Sequence, residues 1–248
     1  HVRGRRQRQM CIRDRAYNTQ RITDPEVRKA LSQAVNVPEL VASLYRGYAS
    51  EATSILPTFM PGYSADVKQV SYDPEAAAQT LADKGVTELH MLAYTNPRPY
   101  NTATGQTLAE ALQGYYEKVG VTCSIDSYDW TTYKEKVGTG DYDVCLYGWI
   151  GDNGDPDNFM NLLASEDIEI NVAQYSDEEF NTMLAEAAST PNGEERNAIY
   201  AQMEQKIADE CVWLPISHQE NLSAYLSNVH NYIAHPTGNV FLSQTYKQ

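Results

Sequence analysis

Basic residues are scarce in this chain: 19 Lys and Arg stand against 33 Asp and Glu over 248 residues, a formal net charge of −14. A surface of that sign repels phosphate backbones, which excludes nucleic acid as a partner. Cysteine is scarce too, four residues with no CxxC and no Cys/His spacing, so neither a zinc site nor a disulfide framework is indicated. No apolar run approaches the ~20 residues of a membrane-spanning helix. Glycine-rich phosphate loops, a GxSxG nucleophile elbow, internal repeats and low-complexity stretches are all missing from the sequence. Phenylalanine occurs only four times, whereas tyrosine reaches 18, an exchange that suits surfaces which stack on a ligand and still hydrogen-bond.

The first fifteen residues, HVRGRRQRQMCIRDR, differ in character from the rest of the chain. They carry six arginines and one aspartate, with no apolar period and no h-region of signal-peptide length. RQRQMCIRDR resembles translated adapter sequence, so residues 1–15 are expected to be a non-native or disordered segment, with the true protein beginning upstream of residue 16. Cys11 goes with that segment. Cys123 and Cys145 lie in apolar, strand-like runs, where cysteine is most often a small core residue.

From residue 16 onward the punctuation is regular. Asp24-Pro25 and Asp73-Pro74 each place an N-cap before a proline at the first helical position, and Asn36 opens a further helix in the same way. ELHMLAY (88–94) reads as a strand, 104–121 as a helix, 121–128 as a strand, 131–140 as a short helix and 142–150 as a nearly continuous apolar strand. Alternation at this spacing predicts an α/β unit with a parallel sheet and right-handed crossovers. Helices over 176–188 and 193–210 and a strand over 212–217 complete the pattern.

In an open parallel sheet, ligands bind beyond the carboxyl ends of the strands. The first of these strands runs into TNPRPYN, bringing Arg98 and Tyr100 to that rim, and Pro99 biases Arg98 toward an extended backbone. The third runs into GWIGDNGDPDNF, residues 148–159, bringing Asp152 to the same rim. Asp155 before Pro156 is accounted for as a helix cap, with Asp157 and Asn158 in the first turn beyond it. A tryptophan at position 149 is more often a core residue than a ligand platform. Asp152, between Gly151 and Asn153 and ahead of the cap, has no such structural role. A calcium loop fails, because Gly154 and Asp157 fall at its third and sixth positions, counted from Asp152. A guanidinium and a carboxylate on one rim suit a zwitterion.

Taken in order, DPEVRKALSQAVN, YDPEAAAQTLADKG, NPRPYN, KVGV and GWIGDNGDPDNF resemble the C-terminal half of a bacterial ABC-transporter solute-binding protein of the peptide family, family 5, nearest its dipeptide-binding branch. The resemblance implies an α/β lobe of the type II periplasmic-binding-protein fold, a parallel-rich sheet flanked by helices, here as part of an incomplete two-lobed fold. By the same resemblance residues 16–218 would be the second lobe and 219–248 a segment returning to a first lobe that is otherwise missing. The arginine of the family's RPY motif holds a peptide carboxylate, which implies Arg98. The first aspartate of its GDNGDPDN motif holds the peptide ammonium, which implies Asp152, with Tyr100, Trp149 and Gly151 beside the ligand. The implied partners are a short peptide and an ABC permease in the membrane, with no cofactor, no metal and no catalysis. The protein would be a monomer, either periplasmic or held as a lipoprotein on the outer face of the cell membrane. One departure is that the cysteine pair which the dipeptide branch carries after this motif is absent from NLLASEDIEINVAQYSDEEF. An exported hydrolase with its catalytic residues in the missing half, or a binder of oligopeptide, glutathione or haem, is the alternative.

Overall fold

The structure, a computed structural model, describes residues 2–8, 11–99, 101, 103–235 and 239–248. Seven strands build the main sheet: β1 (Val2–Arg8), β2 (Cys11–Tyr17), β3 (Ala49–Glu51), β4 (Glu88–Tyr94), β5 (Thr122–Tyr128), β6 (Val144–Ile150) and β7 (Trp213–Leu226). The helices are α1 (Pro25–Gln33), α2 (Val37–Tyr45), α3 (Pro74–Asp83), α4 (Gly105–Lys118), α5 (Trp130–Gly138), α6 (Asp157–Met160), α7 (Glu178–Ser189) and α8 (Glu194–Asp209). The capping signals act as their chemistry dictates. Asp24, Asn36 and Asp73 each accept a backbone N–H of the first turn through Oδ1, at 2.9, 3.2 and 3.0 Å.

Strand order is β1-β7-β2-β6-β4-β5, with β3 also on β7. β4 is parallel to both β5 and β6, as the alternating pattern predicts. Beyond β6 the sheet turns antiparallel, since β2 runs against both β6 and β7, so the sheet is mixed rather than parallel throughout. Helices cover it, and Leu31, Leu92, Leu112, Tyr116, Leu146, Tyr200 and Trp213 belong to one buried cluster. Each leucine so buried contributes about 1.5–3 kcal/mol.

Within residues 1–15, which the sequence marks as a non-native or disordered segment, the described residues of β1 and β2 pair into this sheet. β2 fills the slot between β6 and β7, and Ile12, Asp14, Arg15 and Ala16 are fully buried. The reason lies in the backbone. Without β2, the facing N–H and C=O groups of two core strands would have no partners, and a strand supplies them whatever its side chains. Composition argued against packing because it reads side chains only.

β7 is also longer than the 212–217 run suggests. Its first residues pair with β2, Ser217, His218 and Gln219 pair with β3, and Glu220 to Leu226 pair with β1. The boundary expected at 218/219 therefore falls inside a strand. Past it, Leu226, Ile233, Val240, Phe241, Leu242 and Tyr246 are each more than half exposed.

Candidate binding cleft

Two chain reversals at the carboxyl ends of β4 and β6 shape the site. After Tyr94 the chain stays paired to β5, Thr95 N–H donating to Tyr128 O at 2.9 Å, and then turns back on itself. Arg98 and Asn101 exchange both of their backbone hydrogen bonds, at 2.9 and 2.8 Å. The Asn101 side chain is fully buried, donating to Tyr94 Oη at 3.0 Å and accepting from Tyr45 Oη at 3.2 Å. Gly105, just beyond, is a position where no side chain fits: a Cβ there would sit 2.5 Å from the Tyr94 carbonyl oxygen. That close approach seats the start of α4 against the end of β4. The Arg98 guanidinium lies 4.0 Å over the Trp130 ring at the start of α5.

The second reversal is the acidic turn after β6. Asn158 Oδ1 accepts from Trp149 Nε1 at 2.8 Å and from Asp152 N–H at 3.2 Å, so one side-chain oxygen ties the aromatic and the carboxylate-bearing residue together. The Trp149 ring stacks on Tyr147, centroids 6.5 Å apart. Asp155 acts as the local cap expected of it, accepting from Asp157 N–H at 3.0 Å, although the helical turn begins one residue later than that reading placed it. Its main partner was not foreseen. Arg196, on α8 and nearly buried, grips both Asp155 oxygens at 2.8 and 3.0 Å and holds the carboxyl below its ordinary pKa. Asp152 makes no such pairing among the described residues and is exposed.

Arg98, Pro99, Trp130, Tyr147, Gly148, Trp149, Ile150 and Asp152 line one cleft of about 230 Å³. Three of the residues singled out from sequence therefore meet there: Arg98, Asp152 and Trp149. Gly151 is buried next to Asp152 but does not line the space. Tyr100 lies outside the described residues. Trp130 and Asn158 are the residues that sequence reasoning missed. Trp130 sits one residue before the helix that was read from 131, and Asn158 was assigned to a helical first turn alone. The cleft has an apolar, largely aromatic wall with one cation and one anion on its rim, an arrangement able to fix a small ligand that carries both charges.

A larger cavity of about 590 Å³ shares Trp149 with this cleft and is lined in part by Asp155, Asn161, Ser165 and Arg196. Asp157 also lines it, but its one lining cation, Arg196, is already gripped by Asp155, so the cavity offers no opposed pair of charges to a ligand. Among the described residues no group of three or more His, Cys, Asp or Glu is placed to hold a metal ion. Cys123 and Cys145 are buried, and burial pushes both thiols up to about 12, far from the thiolate form a nucleophile needs.

The model of a protein family described as bacterial extracellular solute-binding proteins, family 5 middle, matches residues 14–170. Heme-binding protein A of Haemophilus influenzae is 30% identical over 235 residues, covering 90% of this chain and 42% of that protein. The dipeptide-binding protein of Escherichia coli is 31% identical over 231 residues, covering 90% of this chain and 43% of that protein. Among solved structures, HbpA2 from Haemophilus parasuis superposes with a TM-score of 0.92 at 24% identity, over all of this chain and 50% of that one. The dipeptide-binding protein of Pseudoalteromonas sp. SM9913, in complex with Met-Leu, gives 0.87 at 26% identity, again over all of this chain and 50% of that one. The chain thus spans less than half the length of these curated relatives and half the length of these solved chains.

Proposed function

Because this chain belongs to the bacterial extracellular solute-binding proteins of family 5, we propose that it serves an ABC peptide importer, capturing dipeptides or short peptides by their charged termini. The observation that carries this reading is the cleft in which Arg98 and Asp152 share an apolar, aromatic wall. Arg98 takes the peptide carboxylate, where a planar guanidinium can donate two parallel charge-assisted hydrogen bonds. Asp152 takes the ammonium. Trp149 flanks the ligand, with Gly151 next to Asp152 in the turn. Side chains of the peptide point into roomier, wetter space, so preference among them is broad.

Residues 16–218 act in this reading as the second lobe of a two-lobed protein, and 219–248 lead back to the first. The half-length match to the solved relatives supports reading the chain as part of a larger, two-lobed protein. So do the exposed apolar side chains of the terminal segment, a patch of the kind that a covering domain accounts for. Lobe closure over the peptide would bury Asp152 and supply the differential affinity for the closed state. The closed monomer delivers its peptide to the permease without catalysis, from the periplasm or from a lipid anchor on the outer face of the membrane.

A haem-binding role, suggested by the name of one relative, fits the rim less well. Haem brings carboxylates for Arg98 but no ammonium, and would leave Asp152 without a counter-charge. Thermal shift of the two-lobed protein with a dipeptide panel, followed by mass analysis of the recovered ligand, tests the proposal. Stabilisation with the peptide recovered intact is expected. Hydrolysed peptide points to the hydrolase alternative, and no stabilisation by any dipeptide refutes peptide capture.

A further inference from the structure

Arg98 is held at both ends by one aromatic assembly. Its guanidinium lies 4.0 Å from the Trp130 ring centroid. Trp130 is fixed in turn by buried tyrosines: it meets Tyr94 edge-on at 5.6 Å and stacks on Tyr133 at 5.5 Å, with 24° between the planes. Tyr133 Oη donates to the Leu146 carbonyl in β6, tying the stack to the sheet. The backbone of the indole is set as well, because Asp129 caps α5 by accepting from the N–H groups of Thr131 and Thr132, at 3.0 and 3.3 Å, and from Thr132 Oγ1 at 2.7 Å. The same Tyr94 whose ring contacts Trp130 accepts a hydrogen bond from Asn101, and Asn101 locks the Arg98 backbone. A closed circuit therefore runs from the Arg98 backbone through Asn101, Tyr94 and Trp130 to the Arg98 head group.

We propose that Trp130 is a positioning residue: a rigid π-platform that fixes the plane of the Arg98 guanidinium so that its N–H edge faces the cleft. The proposal rests on the reading of Arg98 as the carboxylate site and adds what makes that arginine selective. A guanidinium lying over an aromatic face is held in one plane before the ligand arrives, whereas a mobile arginine side chain must lose rotamer entropy each time it binds. Trp130 touches no charged end of the ligand. Its effect is confined to the carboxylate end, because the ammonium end is organised separately by Asn158 on the other turn.

The test uses the 248-residue chain and NMR detection of the Arg98 Nε–Hε group, with acetate as the carboxylate probe and ethylammonium as the ammonium probe. In the wild type, ring current displaces the Nε–Hε signal upfield, acetate moves that signal further, and ethylammonium acts only near Asp152. Trp130→Leu should abolish the upfield displacement and weaken acetate about tenfold, the size of a desolvated cation–π contact, while leaving ethylammonium unchanged. Trp130→Phe keeps a ring and should restore most of both effects. Acetate binding that is equal in wild type and Trp130→Leu overturns the platform alone. Equal weakening of both probes also overturns it, since that marks general damage to the cleft. Failure of acetate to reach wild-type Arg98 overturns the carboxylate reading and the platform together.

Discussion

Replacing Arg15 with methionine should make this protein more stable. Arg15 lies in the central strand β2, fully buried, and no carboxylate pairs with it among the described residues. Its guanidinium donates to Tyr17 Oη, to Ser32 Oγ at 3.4 Å and to the Leu31 carbonyl at a long 3.5 Å, and it lies 4.2 and 5.3 Å from the Tyr17 and Tyr116 ring centroids. Burial pulls the guanidinium down to about 9 from its ordinary value above 12. The lowered value means that the fold disfavours the charged form, so the cost is fully present at pH 7. At ~1.4 kcal/mol per pH unit it is on the order of 5 kcal/mol, offset in part by two cation–π contacts worth ~0.5–2 kcal/mol each. Methionine keeps the unbranched stem and leaves little empty volume. Trading a buried charge for a packed apolar side chain gains about 1–4 kcal/mol, which for a chain of this size raises Tm by roughly 2–8 °C. Differential scanning calorimetry reads this directly. A lowered Tm would refute the reasoning, because the stacked and hydrogen-bonded guanidinium would then be a net stabiliser. A rise fits a residue foreign to its site, in keeping with the composition of residues 1–15.

Glu204 on α8 is buried, accepts hydrogen bonds from Ser54 Oγ and from Ser64 N–H at 2.9 Å, and is pushed by burial up to about 7. A raised carboxyl pKa stabilises the fold fully below about 4.5, and that contribution is lost as pH rises through 7. Glu204→Gln should therefore flatten the stability profile between pH 4.5 and 8, gaining up to about 3 kcal/mol on wild type at the alkaline end in denaturant titrations; an unchanged slope would show that another group sets it. The 248-residue chain alone, holding one side of the proposed cleft, should bind dipeptides more weakly than micromolar by calorimetry. Micromolar binding would mean that the site is complete within these residues.

The elements legible in sequence were those whose signals are local. Asp24-Pro25, Asn36 and Asp73-Pro74 announced three helices, and ELHMLAY proved a strand over those same residues because its flanks and apolar content agree. Arg98, Asp152 and Trp149 reached one cleft because parallel strands deliver their carboxyl ends to a common rim. What stayed hidden depends on partners distant in sequence. β2 carries three charged residues among its apolar ones, and what calls for it is the pair of open backbone edges of β6 and β7, distant in sequence. The grip of Arg196 on Asp155 spans 41 residues. Trp130 lies one residue ahead of the helix legible from 131, and only folding brings it beneath Arg98.

Peptide capture by charged ends is tested most directly by calorimetry on the two-lobed protein and its Asp152→Asn variant, with free and N-acetylated dipeptides. The substitution preserves shape and removes the charge. A free ammonium left without its counter-charge in the closed cleft should lose about 2–5 kcal/mol, roughly thirty- to several-thousand-fold in affinity. Acetylated dipeptides, weak ligands of the wild type, have no charge to lose and should be nearly indifferent to the change. Equal weakening of free and acetylated dipeptides would make Asp152 a structural residue of its turn and contradict the assignment.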